Sequence, residues 1–134
     1  MLKVSTTTSR SRRVLIAEGD APTRCQVAEI VEQEGCVPVV SCDGREAYRI
    51  LERDADFCAA IFDMTLPHIQ GIELIRYMKT EKRLMNIPAM LMLSEESPKL
   101  PLDCFAVGAL IFLPKPFTPA QLRNMLRLIV RRAA

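Results

Sequence analysis

Five short apolar runs, Val14–Ala17, Val37–Val40, Ala59–Phe62, Ala89–Leu93 and Leu110–Leu113, constrain this chain more than any other feature. Each has the length of a strand, and most lack the alternation shown by a strand with one wet face. Unbroken runs of this kind belong to strands covered on both faces, as in a parallel sheet. Between them lie stretches of helical period. Val27, Ile30 and Val31 share a face after a start at Ala21-Pro22. Ala47, Ile50 and Leu51 do so after Asp43-Gly44, and Ile72, Ile75 and Met78 after Gly71. Leu122, Met125, Leu126 and Ile129 follow Thr118-Pro119, where Thr suits the N-cap and Pro the first turn. The fourth connection, "EESPKLPLDCFAVGA", contains Pro98 and Pro101 and leaves room for about two turns of helix. The order βαβαβαβαβα predicts an α/β fold: a doubly wound, five-stranded parallel sheet with helices on both faces. Residues 1–12 lack periodicity and read as a flexible tail, leaving 13–134 as one domain.

Composition narrows the function. No apolar run nears the roughly 20 residues of a membrane span, and the N-terminus lacks the apolar core of a signal peptide. Cys25, Cys36, Cys42, Cys58 and Cys104 are odd in number and include no C-x-x-C pair. They read as reduced thiols of a cytoplasmic protein, not as a disulfide frame or zinc site. The single histidine, His68, is expected in an exposed loop. Net charge is +2, but residues 1–13 and 104–134 hold nine basic side chains and no acid, which leaves the middle acidic. An acidic middle suits a cation; basic ends are usually solvated surface. Arg123, Arg127 and Arg131 fall four apart on the last helix, as a solvated stripe or a contact for an acidic partner or second copy. No helix-turn-helix or other DNA-reading unit follows, so direct nucleic-acid binding is not expected, nor is membrane binding.

The residues that follow the apolar runs carry the chemistry. Glu18 and Asp20 follow the first run, Asp63 the third, Ser94 the fourth and Lys115 the fifth. In open parallel sheets, ligands bind beyond the carboxyl ends of the strands. Three acids, a hydroxyl and an amine therefore meet at one edge, a set suited to phosphoryl chemistry. Asp63 is a candidate nucleophile toward phosphorus, the acids are oxygen ligands for Mg²⁺, and Ser94 and Lys115 can bind the transferred oxygens. A flavodoxin-like enzyme or FMN carrier is the alternative of a different class. It would want a first turn rich in Gly, Ser and Thr, and "EGDAPTR" is acidic instead.

From about Arg13 to Ile129 the chain resembles the receiver domain of two-component response regulators. The resemblance rests on "VLIAEGDAPTR", on "AAIFDMTLPHIQGIEL" with its D-x-x-x-P-x-x-x-G spacing, on "MLMLSEE" and on "GALIFLPKPF". It implies the flavodoxin-like strand order 2-1-3-4-5, with Asp63 as the aspartate phosphorylated by a histidine kinase or phosphotransfer protein. It further implies that Ser94 meets the phosphoryl group, that Lys115 pairs with the acceptor and phosphoryl oxygens, and that Phe112 is the aromatic switch. That switch reports to an unidentified downstream protein through the face of the fourth helix, fifth strand and fifth helix, a face that admits a weak homodimer. Mg²⁺ would be held by Glu18, Asp63 and the carbonyl of Thr65; Thr65 and Glu96 would tune self-dephosphorylation. Beyond self-phosphorylation from small donors and self-dephosphorylation, no enzyme activity is implied. The family's Lys-Pro turn implies a cis bond between Lys115 and Pro116.

One position departs from the family pattern. Receivers usually carry two adjacent acids after the first strand. Counting back from Arg24 puts Glu18 at the first place and Gly19 at the second, which cannot touch a metal. Asp20 is one residue too late, unless the flexible glycine lets it turn inward as a substitute ligand. A weakened Mg²⁺ affinity is therefore expected. Two readings follow: a working receiver with weak metal binding, or a pseudo-receiver that keeps the fold for phosphorylation-independent protein contacts.

Overall fold

The computed structural model describes residues 11–94 and 111–133. The proline-containing fourth connection, Glu96, Cys104 and most of the N-terminal tail lie outside the described residues. The elements are β1 (Arg13–Ala17), α1 (Ala21–Gln33), β2 (Val37–Ser41), α2 (Gly44–Arg53), β3 (Ala59–Asp63), α3 (Gly71–Thr80), β4 (Ala89–Leu93), β5 (Ile111–Pro114) and α4 (Pro119–Ala133). All strand pairs are parallel, in the order β2-β1-β3-β4-β5, as expected.

Each apolar run serves two cores, which explains the missing alternation. In β1, Leu15 and Ala17 face a cluster with Ala47 and Leu51 of α2 and Leu74, Ile75 and Met78 of α3. Val14 and Ile16 face the other side, against Val27, Ile30 and Val31 of α1 and Leu122, Leu126 and Ile129 of α4. Water-free packing on both sides removes any use for a polar residue at alternate positions.

The edge strand β2 is the exception. Val37 and Val40 are 55% and 46% exposed, so this run is not covered on both faces. Only β1 pairs with it among the described strands. The Val37 amide donates inward to the Arg12 carbonyl at 2.8 Å, so strand alternation turns position 38 outward. That position is Pro38, which has no N–H to leave unpaired. Ser11 and Arg12 are tied into the domain as well, because the Ser11 hydroxyl accepts from Arg13 N and Arg12 Nε donates to Gly35 O.

The helix starts follow local chemistry. Asp43 caps α2, accepting from Glu46 N at 2.8 Å, and Thr118 Oγ1 accepts from Gln121 N at 3.1 Å at the start of α4. The basic stripe on α4 has an intramolecular destination. Arg127 donates Nε and Nη2 to the two carboxylate oxygens of Glu34, at 2.6 and 3.2 Å, and Arg123 Nη2 donates to Gln33 Oε1 at 2.9 Å. These two arginines thus staple α4 to the end of α1.

Candidate functional site

Three strands deliver charged groups to one point beyond their carboxyl ends. Glu18 leaves β1 with its side chain only 1% exposed, and Asp63 ends β3 at 6%. Lys115 follows β5; its amide donates to Leu93 O at 2.9 Å, and the Lys115–Pro116 bond is cis, as the family pattern implied. Lys115 Nζ lies 2.8 Å from Glu18 Oε1 and 3.3 Å from Asp63 Oδ2, bridging the two carboxylates. Glu18 Oε2 accepts from Asp20 N at 3.0 Å. The expected meeting of Glu18, Asp63 and Lys115 is therefore present in this geometry.

The electrostatics follow from burial. Desolvation, and next the Glu18 charge, push Asp63 up from 3.8 to about 6, against the pull of Lys115. Burial pulls the Lys115 ammonium down, but its hydrogen bond to Glu18 and the Asp63 charge outweigh that and raise it. Asp63 Oδ1 is buried and has no hydrogen-bond partner of good geometry among the described residues, although the Thr65 backbone amide also pulls the carboxyl down. A buried carboxylate oxygen left unpaired is costly, and marks a place where another group belongs.

Asp20 does not turn into the pocket. Its Oδ2 accepts from Thr23 N at 3.1 Å and Thr23 Oγ1 at 2.6 Å, so the carboxylate caps α1 and is held below its ordinary range chiefly by the Thr23 hydroxyl. An aspartate immediately before a helix start is a legible capping signal. Arg24 does more than mark the register: its Nη1 donates to Glu18 O at 2.9 Å and secures the end of β1. Gly71 does more than start a helix: a Cβ there would collide with the Asp63 carbonyl oxygen, so the loop after β3 closes only over a glycine. Gly19 is different. A Cβ at that position would meet Cys42 O at 3.5 Å and a Pro67 ring carbon at 3.7 Å, both ordinary contacts. Neither space nor backbone conformation demands a glycine there.

Ser94 follows β4 and is half-buried, Phe112 is half-buried against the α2–α3 core, and Thr65 is exposed. Among the described residues, no three His, Cys, Asp or Glu side chains gather as a metal site. Of the four oxygens on Glu18 and Asp63, three already have partners and Asp63 Oδ1 is open. This set fits a cation that keeps much of its own water, as Mg²⁺ does.

Residues 14–127 match the response regulator receiver domain family. The chain is 32% identical over 122 residues to the two-component response regulator-like protein APRR9 of Arabidopsis thaliana, covering 90% of this chain and 26% of that protein. It is 29% identical over 122 residues to the phosphate regulon transcriptional regulatory protein PhoB of Escherichia coli, covering 91% of this chain and 53% of that protein. Its fold matches the chemotaxis response regulator CheY4 of Vibrio cholerae with a TM-score of 0.80 and 26% identity, covering 90% and 99% of the two chains. The chain thus spans from a quarter to about half of these two longer relatives. Among the described residues, no helix is long and apolar enough to cross a membrane.

Proposed function

The chain belongs to the response regulator receiver domain family of two-component signalling, and from that premise we propose that Asp63 is its phosphoacceptor. The observation that carries this reading is Asp63 Oδ1, buried and without a hydrogen-bond partner of good geometry among the described residues, beside a lysine held by a second carboxylate. In the transfer, an Asp63 oxygen forms a bond to phosphorus as the bond from phosphorus to the donor's imidazole nitrogen breaks. The imidazole keeps that electron pair. Lys115 neutralises the acceptor and is within reach of an incoming phosphoryl oxygen, and the Ser94 hydroxyl is the proposed second donor. Phe112 is the proposed reporter toward a downstream protein, through the surface of β5 and α4. The donor would be a histidine kinase or phosphotransfer protein.

Receiver domains typically bind Mg²⁺. Here Asp63, Glu18 and the Thr65 carbonyl would hold it, without help from Gly19 or from Asp20 in its capping geometry. When bound, the metal offsets the charge that builds as phosphoryl oxygens approach the carboxylates. A second reading, the phosphorylation-independent pseudo-receiver, is favoured by one observation: Gly19 has room for a side chain, at the place where the family resemblance leads one to expect a second acid. Intact-mass measurement after incubation with acetyl phosphate and Mg²⁺ separates the two. Gain of one phosphoryl group, lost in Asp63→Asn, supports the acceptor; an unchanged mass at saturating Mg²⁺ supports the pseudo-receiver.

A further inference from the structure

A second concave surface lies outside the Asp63 pocket. It is a groove of about 310 Å³ lined by Cys42, Asp43, Arg45, Glu46, Arg49 and His68, between the start of α2 and the loop that follows β3. Its two acids are already engaged. Asp43 Oδ1 accepts from Glu46 N at 2.8 Å and Glu46 Oε1 accepts from Cys42 N at 2.8 Å, so both charges are turned onto the amides at the start of α2. The basic groups are not. Arg49 is exposed and makes no hydrogen bond or ion pair with any described residue, and among the described residues the one hydrogen-bonding contact of the Arg45 side chain is with His68 Nδ1, at 3.4 Å from Nη2.

His68 has φ 72°, a left-handed conformation that a residue other than glycine adopts at a cost, and it lines the groove beside Arg45. Arg45 and Arg49 are one helical turn apart on one face, about 6 Å along the axis. In an extended peptide, side chains at alternate residues stand about 7 Å apart and point the same way. That spacing suits two carboxylates in series, one to each guanidinium.

We propose that this groove docks an extended acidic segment of a partner protein, with carboxylates at alternate positions paired to Arg45 and Arg49. The proposal does not depend on phosphorylation of Asp63, and its test uses the unphosphorylated chain. The probe is a fluorescein-labelled synthetic peptide with Glu at alternate positions between Gly and Ser, beside a counterpart with Gln for every Glu. Fluorescence anisotropy should show the Glu peptide binding about two- to thirtyfold more tightly than the Gln peptide, with affinity falling as salt rises. Arg45→Gln with Arg49→Gln should lose about the same factor for the Glu peptide, as two exposed pairs of ordinary strength allow. Amide shifts in the wild-type chain should centre on Cys42, Arg45, Arg49 and His68. The two arginines are on the surface, and an amide spectrum of the double variant verifies its fold. Equal affinities for the two peptides, an unaffected double variant, shifts centred elsewhere, or equal displacement by inorganic phosphate at the same charge concentration would each overturn it.

Discussion

At Asp63, burial and the neighbouring Glu18 carboxylate act against Lys115, and the imbalance sets a pH dependence. Between its ordinary 3.8 and about 6, the folded chain holds a proton that the unfolded chain has released. Stability therefore falls as pH rises through that window, and the cost is fully present above it. Asp63→Asn removes the charge and should stabilise the Mg²⁺-free protein by an amount on the order of 2 kcal/mol at about pH 7.5, and by little near pH 4. Urea unfolding at both pH values checks this; an equal gain at both would mean that the charge is not the cause. Gly19 sets the second prediction. Because a side chain fits there, Gly19→Asp should tighten Mg²⁺ binding at least about tenfold by calorimetry, with Gly19→Ala as an unaffected control. Without Mg²⁺ the new acid should lower stability modestly, by crowding Glu18 and Asp63. Equal Mg²⁺ affinity in all three proteins would remove the idea that the glycine weakens the metal site. The identities of Glu18, Asp63 and Lys115 were legible because each follows an apolar run. The fate of Asp20 was harder to read, since a carboxylate between a pocket and a helix start goes wherever unpaired amides and a threonine hydroxyl already wait.

Among the elements, α1 and α4 are joined by a contact that periodicity alone leaves open. Four-residue spacing places Arg123 and Arg127 on one stripe but cannot say what lies opposite. The structure puts Glu34 there, at the C-cap of α1, where a negative charge opposes the helix dipole until Arg127 and Arg123 offset it. The Arg127 hydrogen bond, ahead of its charge, holds the Glu34 carboxyl below its ordinary range. Glu34→Gln should lower the thermal midpoint by about 2 °C at low salt, and the difference should shrink in about 1 M NaCl, where screening acts within roughly 3 Å. A variant that melts with the wild type at both salt levels would show that the staple contributes nothing. By contrast, the helix starts at Asp43-Gly44, Gly71 and Thr118-Pro119 were readable, because capping is settled by a few neighbouring residues.

At the scale of the whole molecule, the parallel sheet and its two cores follow from runs that stay apolar at every position, since a strand covered twice has no solvent face to mark, whereas the strand order was legible only from the family resemblance. β2 shows where that logic stops. Its run looks like the others, yet Val37 and Val40 meet solvent, because a hydrophobic run does not say whether a strand lies inside a sheet or at its rim. The rim has a further consequence for pairing between copies of this chain. A neighbouring copy arriving strand-first at β2 would need an unbroken row of donors to extend the sheet, and at Pro38 that row has a gap. Two exposed valines would otherwise invite such stacking; the missing donor makes this rim a poor template for a growing fibre.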